Sequence, residues 1–423
     1  MLLDYDHSLS HSGISGDRLA FRLNALAQIG PTREQGSLRI GFSPEERQAK
    51  DLVKVWLQDA GLEVKEDGAG NVFGRLSGTE DTLSAILSGS HVDTVLNGGH
   101  FDGTLGVLSA LEVVEAWKEN GYRPKRPFEL VIFSDEEGSR FNGGLIGSEA
   151  MVGDLDLEHQ KQLKDIDGVP FEKVMEQNGL SLKSLSESKR DLREIEAFVE
   201  VHIEQGKRLE KAEAPVGIVT GIAGPCWIEV VFEGVAGHAG NTPMDDRHDA
   251  LVAAGYFIAD IERLPRSVSS SAVATVGKMH VSPNGVNVIP GKVELFVDVR
   301  DIYEDTRDEL VGLIIDKAKE ISEKCDVRVK YKNTLSVEPV VIQKKMQEKL
   351  ARSVKKLGLP ELYLPSGAGH DAMIIGHHLP VAMLFVQSKD GISHSPKEWS
   401  SLNDCVRGVH VLKDFLESLL DEN

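Results

Sequence analysis

The chain has 423 residues, of which 41% are hydrophobic and 27% are charged, a composition typical of globular proteins. Single hydrophobic cores stop growing at about 250–300 residues, so this length predicts two domains. The 67 acidic residues outnumber the 47 basic ones and give a net charge of −20, which repels phosphate backbones and argues against nucleic acid as a partner.

Neither a membrane segment nor a cysteine framework is expected. No apolar run approaches the ~20 residues that a membrane span requires, which argues against a membrane partner. Asp4 and Asp6 stand where a signal peptide would carry basic residues and then an apolar stretch, so we expect a cytoplasmic protein. Cys226, Cys325 and Cys405 are far apart, which argues against disulfides and against a cysteine-based zinc site.

The N-terminal region predicts helices and then a strand. Residues 18–62 have helical patterns around a loop at 30–41. The helix over residues 44–60 is expected to end at Gly61, a common helix terminator, and residues 71–76 predict a strand.

Four short apolar runs each lead into a cluster of acids or histidines. A helical pattern at residues 105–119 separates the first two runs, and strand–helix–strand alternation predicts a mixed, mainly parallel sheet with helices on both faces. Ligands of such sheets bind outside the carboxyl ends of the strands, where these clusters lie. The runs with their clusters are 85–87 before His91 and Asp93, 128–133 before Asp135, Glu136 and Glu137, 197–201 before His202 and Gln205, and 381–386 before His394.

Residues 217–329 predict a second domain inserted into the first. The order strand–helix–strand–strand–helix–strand is the split βαβ, ferredoxin-like pattern. We therefore expect a catalytic α/β domain formed by residues 1–216 and 330–423, interrupted by an α+β domain. The predicted strands of the insertion cover 227–232, 272–279, 292–299 and 327–331, and its helices cover 249–264 and 306–322.

His91 and Asp102 are the first candidate metal ligands. His91 follows a predicted strand, and a ligating histidine usually donates its second ring N–H to a partner such as Asp93. Asp102 precedes the predicted helix among glycines, which allow close approach of a ligand. An aspartate in that position could equally be only the N-cap of the helix.

The acidic triplet at residues 135–137 is the second candidate. Acidic triplets are usually solvated turns, but this one follows a strand that is expected to be buried. One of two adjacent acids can bind metal while its neighbour takes a proton from the attacking water. His202 could equally be a structural histidine, and His394 is a weak signal alone. Together, three histidines, one aspartate and one glutamate suit two ions better than one, since a catalytic zinc takes about three protein ligands.

Eight motifs occur at residues 89–95, 97–99, 101–103, 135–141, 202–206, 237–244, 287–290 and 391–396. Together they resemble the motifs of the amidase/hydantoinase/carbamoylase branch of the M20 metallopeptidase superfamily. The resemblance extends from about Arg18 to the C-terminus. His202, in the sequence His-Ile-Glu-Gln-Gly, is the most specific marker, because peptide-cleaving relatives tend to carry a carboxylate at that position.

The resemblance implies a pair of divalent ions in each subunit. Mixed nitrogen and oxygen donors suit Zn, Mn, Co or Ni. In this assignment His91 and His202 hold one ion, Glu137 and His394 hold the other, and Asp102 bridges both.

The resemblance also implies the catalytic groups. Glu136 would act as general base and acid, and Asp93 would orient His91. His238 would stabilise the oxyanion from the partner subunit of a homodimer, although a histidine among glycines is often only a free loop residue.

Four further residues would contact a small carboxylate-bearing substrate. Arg300 and Asn287 would bind its carboxylate, while Gln205 and Gly369 would line its pocket. Without the resemblance, Arg300 reads as a surface arginine and Asn287 as a turn residue.

The expected activity is hydrolysis of the ureido C–N bond of an N-carbamoyl-L-amino acid to the amino acid, carbon dioxide and ammonia. The inserted domain would serve as a lid and dimerisation domain. Allantoate and a β-ureido acid, the substrate of a β-ureidopropionase, fit the same motifs. An M20 aminopeptidase or aminoacylase, and a metal-free binding protein, are the alternatives from other classes.

Overall fold

The computed structural model describes residues 4–422. The α-helices are α1 (Gly16–Leu26), α2 (Pro44–Ala60), α3 (Thr104–Asn120), α4 (Ile146–Val152), α5 (Leu157–Gln160), α6 (Phe171–Gln177), α7 (Leu182–Ser186), α8 (Arg208–Lys211), α9 (Ala250–Ile261), α10 (Pro265–Val268), α11 (Glu304–Lys324), α12 (Lys344–Lys356), α13 (Asp371–Gly376) and α14 (Leu402–Leu420). The strands are β1 (Glu63–Glu66), β2 (Val72–Leu76), β3 (Ala85–His91), β4 (Phe128–Phe133), β5 (Ile195–Ile203), β6 (Val216–Ile222), β7 (Gly224–Glu233), β8 (Gly237–His238), β9 (Val273–Ser282), β10 (Val288–Ile289), β11 (Lys292–Asp301), β12 (Arg328–Ser336), β13 (Val340–Val341), β14 (Tyr363–Ser366) and β15 (Val381–Val386).

The chain divides into two compact units. The first comprises the chain up to Thr220, residues 342–364 and the chain from His370 onward. The second comprises residues 221–341 together with 365–369. The second unit is thus interposed in the first, beginning and ending somewhat later along the chain than the expected insertion at 217–329.

The sheet of the first unit has a parallel centre and antiparallel flanks. Its central strands run in the order β4-β3-β5-β15, and each adjacent pair is parallel. On one side β2 and β1 continue the sheet antiparallel, and on the other side β6 pairs antiparallel with β15. The mixed α/β fold predicted from the sequence is therefore confirmed.

The central strands are apolar because both of their faces are covered. Every residue of β3, β4 and β15 is buried. Helices α3 and α14 contact each other and β3, while α4 and α13 contact each other and the strands β4 and β5. Strands covered on both faces have continuous apolar sequences rather than an alternating pattern, which is why these runs are visible in the sequence.

Gly89 permits an unusually close approach within this sheet. A Cβ atom at residue 89 would lie 1.9 Å from the carbonyl oxygen of Val131 in β4. The pairing of β3 with β4 then sets His91 opposite Phe133, two residues before the acidic triplet. A small residue at position 89 therefore contributes to where the site residues lie.

Four short helices, α4 to α7, were not predicted from the sequence. Each spans seven residues or fewer, so hydrophobic periodicity hardly registers in them. They enclose a small core of their own, in which the rings of Phe141 and Phe171 lie 5.0 Å apart and Ile146 is fully buried.

The second unit is built on a four-stranded antiparallel sheet with the order β12-β7-β11-β9. If these four strands are numbered by their order in the chain, the order across the sheet is 4-1-3-2. Helix α9 follows the first of these strands and α11 follows the third, as in a split βαβ unit. Residues of β11 alternate between buried and half-buried, and α9 and α11 both contact this strand. The buried side chains of these elements form a separate core.

Among residues 4–422, no helix is both long enough and apolar enough to cross a membrane. The cytoplasmic location expected from the sequence stays a prediction.

Candidate metal centre

The carboxyl ends of the parallel strands bring the predicted polar side chains to one edge of the sheet. His91 is the last residue of β3, and His202 is the penultimate residue of β5. Glu136 and Glu137 follow β4, and His394 lies in the segment after β15. Parallel strands end at the same edge, and ligands bind there in such sheets.

Two groups of donor atoms share the carboxylate of Asp102. In the first group, donor atoms of His91, Asp102 and His202 all lie within 4.8 Å of one another. In the second group, donor atoms of Asp102, Glu137 and His394 do so. The structure therefore brings all five predicted ligands together, while their role as ligands stays a prediction.

The two oxygens of Asp102 face different groups. Its Oδ1 atom lies 3.1 Å from Nε2 of His202 and 3.6 Å from Nε2 of His91. Its Oδ2 atom lies 3.4 Å from Nε2 of His394, which is itself 3.4 Å from Oε2 of Glu137. A carboxylate with one oxygen toward each group has the arrangement that a bridging ligand requires.

The ring of His91 fits a metal ligand. Its Nδ1 atom lies 3.1 Å from the backbone oxygen of Asp93 and 3.5 Å from that residue's Oδ1, so we assign the ring proton to Nδ1. The lone pair of Nε2 then faces Asp102, and this buried atom has no hydrogen-bond partner among residues 4–422. An unsatisfied buried polar atom costs about 1–3 kcal/mol, a cost that a bound cation would remove.

The ring of His202 is oriented in the same way. Its Nδ1 atom lies 3.0 Å from the carbonyl oxygen of Ile203, and its Nε2 atom accepts the N–H of Gly103 at 3.3 Å. The proton is therefore on Nδ1, and Nε2 presents a lone pair toward Asp102. Backbone carbonyls commonly fix the tautomer of ligating histidines in this manner.

Asp102 does not cap helix α3. The N-cap position is Gly103, whose φ is +59° and which makes no side-chain capping bond. A Cβ atom at residue 103 would lie 2.4 Å from ring atoms of His91. The alternative that Asp102 is only an N-cap is therefore wrong, and Gly103 is needed for both its backbone angle and its contact with His91.

Asp93 contacts the backbone of the acidic turn as well as His91, which was its only predicted partner. Besides lying beside His91, its two carboxylate oxygens accept the backbone N–H groups of Glu136, at 3.2 Å, and Glu137, at 3.1 Å. One buried carboxylate thus links the end of β3 to the acidic turn after β4.

Glu136 lies beside both donor groups but belongs to neither. Its Oε2 atom is 3.4 Å from Nε2 of His91. Burial raises the pKa of the Glu136 carboxyl well above its usual value, and the nearby charges of Glu137 and Asp371 raise it further. A carboxylate with a raised pKa beside a metal site is suited to accept a proton and return it.

Gln205 contacts the candidate ligands directly. Its Nε2 atom donates to Oδ2 of Asp102 at 2.8 Å and lies 3.3 Å from Nε2 of His394. The residue has a positive φ of +56°, which turns the backbone after His202. Its predicted place in the substrate pocket stays a prediction.

His238 and Asn287 are neighbours in the second unit. Strand β8 pairs with β10, which sets His238 opposite Val288, and the N–H of Ala239 donates to the carbonyl of Asn287 at 3.0 Å. The Nδ1 atom of His238 accepts the N–H groups of Gly240 and Asn241, at 3.0 and 3.2 Å. Its ring proton is therefore on Nε2, where it can be donated to another molecule.

Arg300 is already paired within its own unit. Its guanidinium donates to both oxygens of Asp298, at 2.9 and 2.8 Å, and to the carbonyl oxygen of Gly367 at 2.7 Å. Gly367 lies two residues before Gly369, so two of the predicted substrate residues belong to one local arrangement. A substrate carboxylate would have to share the guanidinium with Asp298 or displace it.

Several functional candidates were missed by the sequence analysis. Glu200 is buried beneath His202 and accepts the hydroxyl of Ser90 at 2.7 Å, and the ring of His370 lies 4.4 Å from that of His202. Glu200, His202 and His370 also have donor atoms within 4.8 Å of one another. The available signal for Glu200 was a glutamate within the apolar middle of β5, between Val199 and Val201.

Comparison with known proteins agrees with this geometry. The N-carbamoyl-L-amino acid amidohydrolase of Geobacillus stearothermophilus is 44% identical over 399 residues, which cover 94% of this chain and 97% of that protein. The allantoate amidohydrolase of Bacillus subtilis is 37% identical over 398 residues, covering 93% and 95%. The crystal structure of an amidase of the hydantoinase/carbamoylase family from Burkholderia multivorans matches with a TM-score of 0.91 at 32% identity, covering 97% of this chain and 99% of that chain.

The sequence model of peptidase family M20/M25/M40 matches residues 87–418, a span that includes all five candidate ligands and Glu136. Because this match covers most of the chain and the relatives are aligned over nearly their whole length, the chain belongs to peptidase family M20/M25/M40, in its amidase/hydantoinase/carbamoylase branch.

Proposed function

We propose that this protein is a two-metal hydrolase that cleaves the ureido C–N bond of an N-carbamoyl-L-amino acid. The observation that carries the proposal is the shared carboxylate of Asp102, with one oxygen toward each of two donor groups and Glu136 beside them. The relative with 44% identity, an N-carbamoyl-L-amino acid amidohydrolase, supports this substrate class.

Two divalent ions, among which Zn, Mn, Co and Ni suit these donors, would acidify the attacking water and polarise the scissile carbonyl. Glu136 takes the proton of that water as it adds to the carbonyl carbon. Glu136 then gives the proton to the leaving nitrogen as the C–N bond breaks. Departure of the amino-acid nitrogen leaves carbamic acid, which decomposes to carbon dioxide and ammonia, so the final products are the amino acid, carbon dioxide and ammonia. The raised pKa of the Glu136 carboxyl favours its taking the proton from the attacking water.

The carboxylate of the substrate would be bound in the second unit. Arg300 offers a planar guanidinium that can bind a carboxylate with two hydrogen bonds, and Asn287 adds an amide donor. Gln205 and Gly369 would line the remainder of the pocket. His238 would donate its Nε2 proton to the oxyanion, an interaction worth about 3–4 kcal/mol in comparable sites.

We further propose that the second unit is a lid and dimerisation domain, and that His238 acts on the partner's substrate. Helix α9 is apolar on more than one side: Ala253 and Phe257 are buried, whereas Val252, Tyr256 and Ile258 are exposed. Among residues 4–422, β9 pairs with β11 alone, which leaves one edge of the sheet open. An exposed apolar helix beside an open strand edge favours association of two copies.

Allantoate is the second candidate substrate. The allantoate amidohydrolase of Bacillus subtilis is 37% identical, and the ureido and carboxylate groups of allantoate would use the same residues. A β-ureido acid would also suit these residues. Cleavage of peptides or acyl amides is disfavoured by the position of His202 in the first donor group.

Substrate preference is tested with the Mn-loaded enzyme. We expect N-carbamoyl-L-methionine to be hydrolysed faster than allantoate, a β-ureido acid or a dipeptide, when ammonia or free amine is measured. Preferential turnover of allantoate would reassign the substrate, and dipeptide hydrolysis without ureido cleavage would reject the proposed class.

Glu136→Gln should retain bound metal but lower kcat by about 10²–10⁴-fold, because only the proton acceptor is removed. Metal content is measured by elemental analysis alongside the rate. Glu137→Gln is the matched control, since it should lower metal content as well as rate. A Glu136→Gln enzyme within tenfold of the wild-type rate would remove Glu136 as the base.

Arg300→Lys should raise KM by about tenfold or more, because a lysine cannot form the paired hydrogen bonds of a guanidinium. Steady-state kinetics measure KM, and thermal unfolding tests whether the lost contacts with Asp298 alter stability. Arg328→Lys, at an exposed position of the same sheet, is the control and should leave KM unchanged. An unchanged KM in Arg300→Lys would contradict the carboxylate contact.

Mixing two inactive variants tests whether His238 acts across a dimer. Glu136→Gln and His238→Ala homodimers should each be nearly inactive, whereas mixed dimers would contain one site with both residues intact. We expect activity to return when the variants are unfolded and refolded together. A mixture that stays inactive, although mass measurements demonstrate mixed dimers, would show that His238 does not serve the partner's site.

A further inference from the structure

Glu398 is a buried carboxylate next to the metal centre that belongs to neither donor group. It lies four residues after His394 and is 3% exposed. Its Oε1 atom accepts the backbone N–H of Phe101 at 2.9 Å and of Asp102 at 3.1 Å. Burying a carboxylate is costly unless it is well hydrogen bonded, so these contacts require an explanation.

A second connection reaches the side chain of Asp102. The Oε2 atom of Glu398 lies 2.9 Å from the hydroxyl oxygen of Ser393, which in turn lies 2.9 Å from Oδ2 of Asp102. The Glu398 carboxylate thus contacts the backbone N–H of Asp102 directly and the side chain of Asp102 through Ser393. It also joins the segment that carries His394 to the segment that carries Asp102.

Gly99 supplies an independent observation. A Cβ atom at residue 99 would lie 2.1 Å from Oε1 of Glu398, and its three nearest atoms would all belong to that side chain. Gly99 does not have a positive φ angle, so its backbone conformation does not require glycine. The space left by this glycine is filled by the carboxylate of Glu398.

We infer that Glu398 is a positioning residue, which holds Asp102 so that Oδ2 meets Glu137 and His394. The inference rests on the proposed two-metal function. Oδ1 of Asp102 faces His202 and His91 and has no contact with the Glu398 network, whereas Oδ2 accepts from Gln205 and lies beside the Ser393 hydroxyl that Glu398 contacts. Loss of Glu398 should therefore lower the metal affinity of the second donor group more than that of the first. Removing an outer partner of a ligand typically costs 10–100-fold in metal affinity.

Three variants separate positioning from mere structural support. Glu398→Ala removes all of the contacts. Glu398→Gln retains both backbone contacts through its amide oxygen, and its amide N–H can donate to Ser393 in place of the bond that Ser393 donates to Glu398, which leaves the Ser393 proton for Asp102. Gly99→Ala leaves Glu398 in the chain but displaces its carboxylate. Glu348→Ala, at an exposed position of α12, is the matched control.

The measured quantity is Mn²⁺ binding to the metal-free protein. Titration calorimetry gives the affinity and stoichiometry, and elemental analysis after dialysis gives the number of ions retained. Wild type, Glu398→Gln and Glu348→Ala should bind two ions per subunit with similar affinity. Glu398→Ala and Gly99→Ala should keep one ion with near wild-type affinity and bind the other about 10–100-fold more weakly. Thermal unfolding of the metal-free proteins reports stability separately from this stoichiometry.

Several outcomes would overturn the inference. They are two ions bound with wild-type affinity by Glu398→Ala, equal weakening of both ions, or a Glu398→Gln defect as large as that of Glu398→Ala. If Glu398→Ala fails to fold, the inference is tested by comparing the metal binding of Gly99→Ala with that of Glu398→Gln. Binding of two ions by Gly99→Ala with wild-type affinity would reject the inference. A wild-type protein that binds a single ion would instead contradict the two-metal proposal, and the inference with it.

Discussion

The carboxylate of Asp102, shared between two groups of donors, is the interaction on which the rest of the site depends. Its neighbours are three histidines and several buried acids, and these charges cannot all exist together in a dry environment. The pKa of Glu137 is raised to about 7 by burial and by the charge of Asp102, and burial also raises the pKa of Glu136 well above its usual value. Divalent cations between these groups would relieve that repulsion, which is a physical reason for the donors to be assembled here.

The scaffold produces this assembly through strand ends and close backbone approaches. Four parallel strands end at one edge of the sheet, so residues far apart in the chain meet without long connecting loops. Gly89 and Gly103 allow β4 and the ring of His91 to approach where any side chain would clash. Asp93 then ties the acidic turn to the end of β3 through two backbone N–H groups. The ligands are therefore positioned by main-chain contacts as much as by their own side chains.

Much of the architecture could be predicted from the sequence, as could the proximity of the five candidate metal ligands. Buried parallel strands have continuous apolar runs, so β3, β4 and β15 were visible together with the polar residues that follow them. Helices α4 to α7 were not, because segments this short carry little periodicity. The bidentate contact of Arg300 with Asp298 was missed although the two are neighbours on β11, since the sequence cannot tell which group a guanidinium will meet. Glu398 was missed because it binds two backbone N–H groups, and nearly every residue type has such a group, so the sequence does not indicate which of them a side chain will contact.

The two donor groups differ in their access to solvent, and this has a consequence for how the protein would acquire its metals. The side chains of His91 and His202 are each 1% exposed, whereas that of His394 is 50% exposed. An ion bound in the buried group would leave only when the surrounding structure opens, whereas an ion bound beside His394 would exchange directly with the surrounding water. The ion in the buried group would then depend on which metals were available when the chain folded. The ion in the group that contains His394 would depend on the metal concentrations around the folded protein.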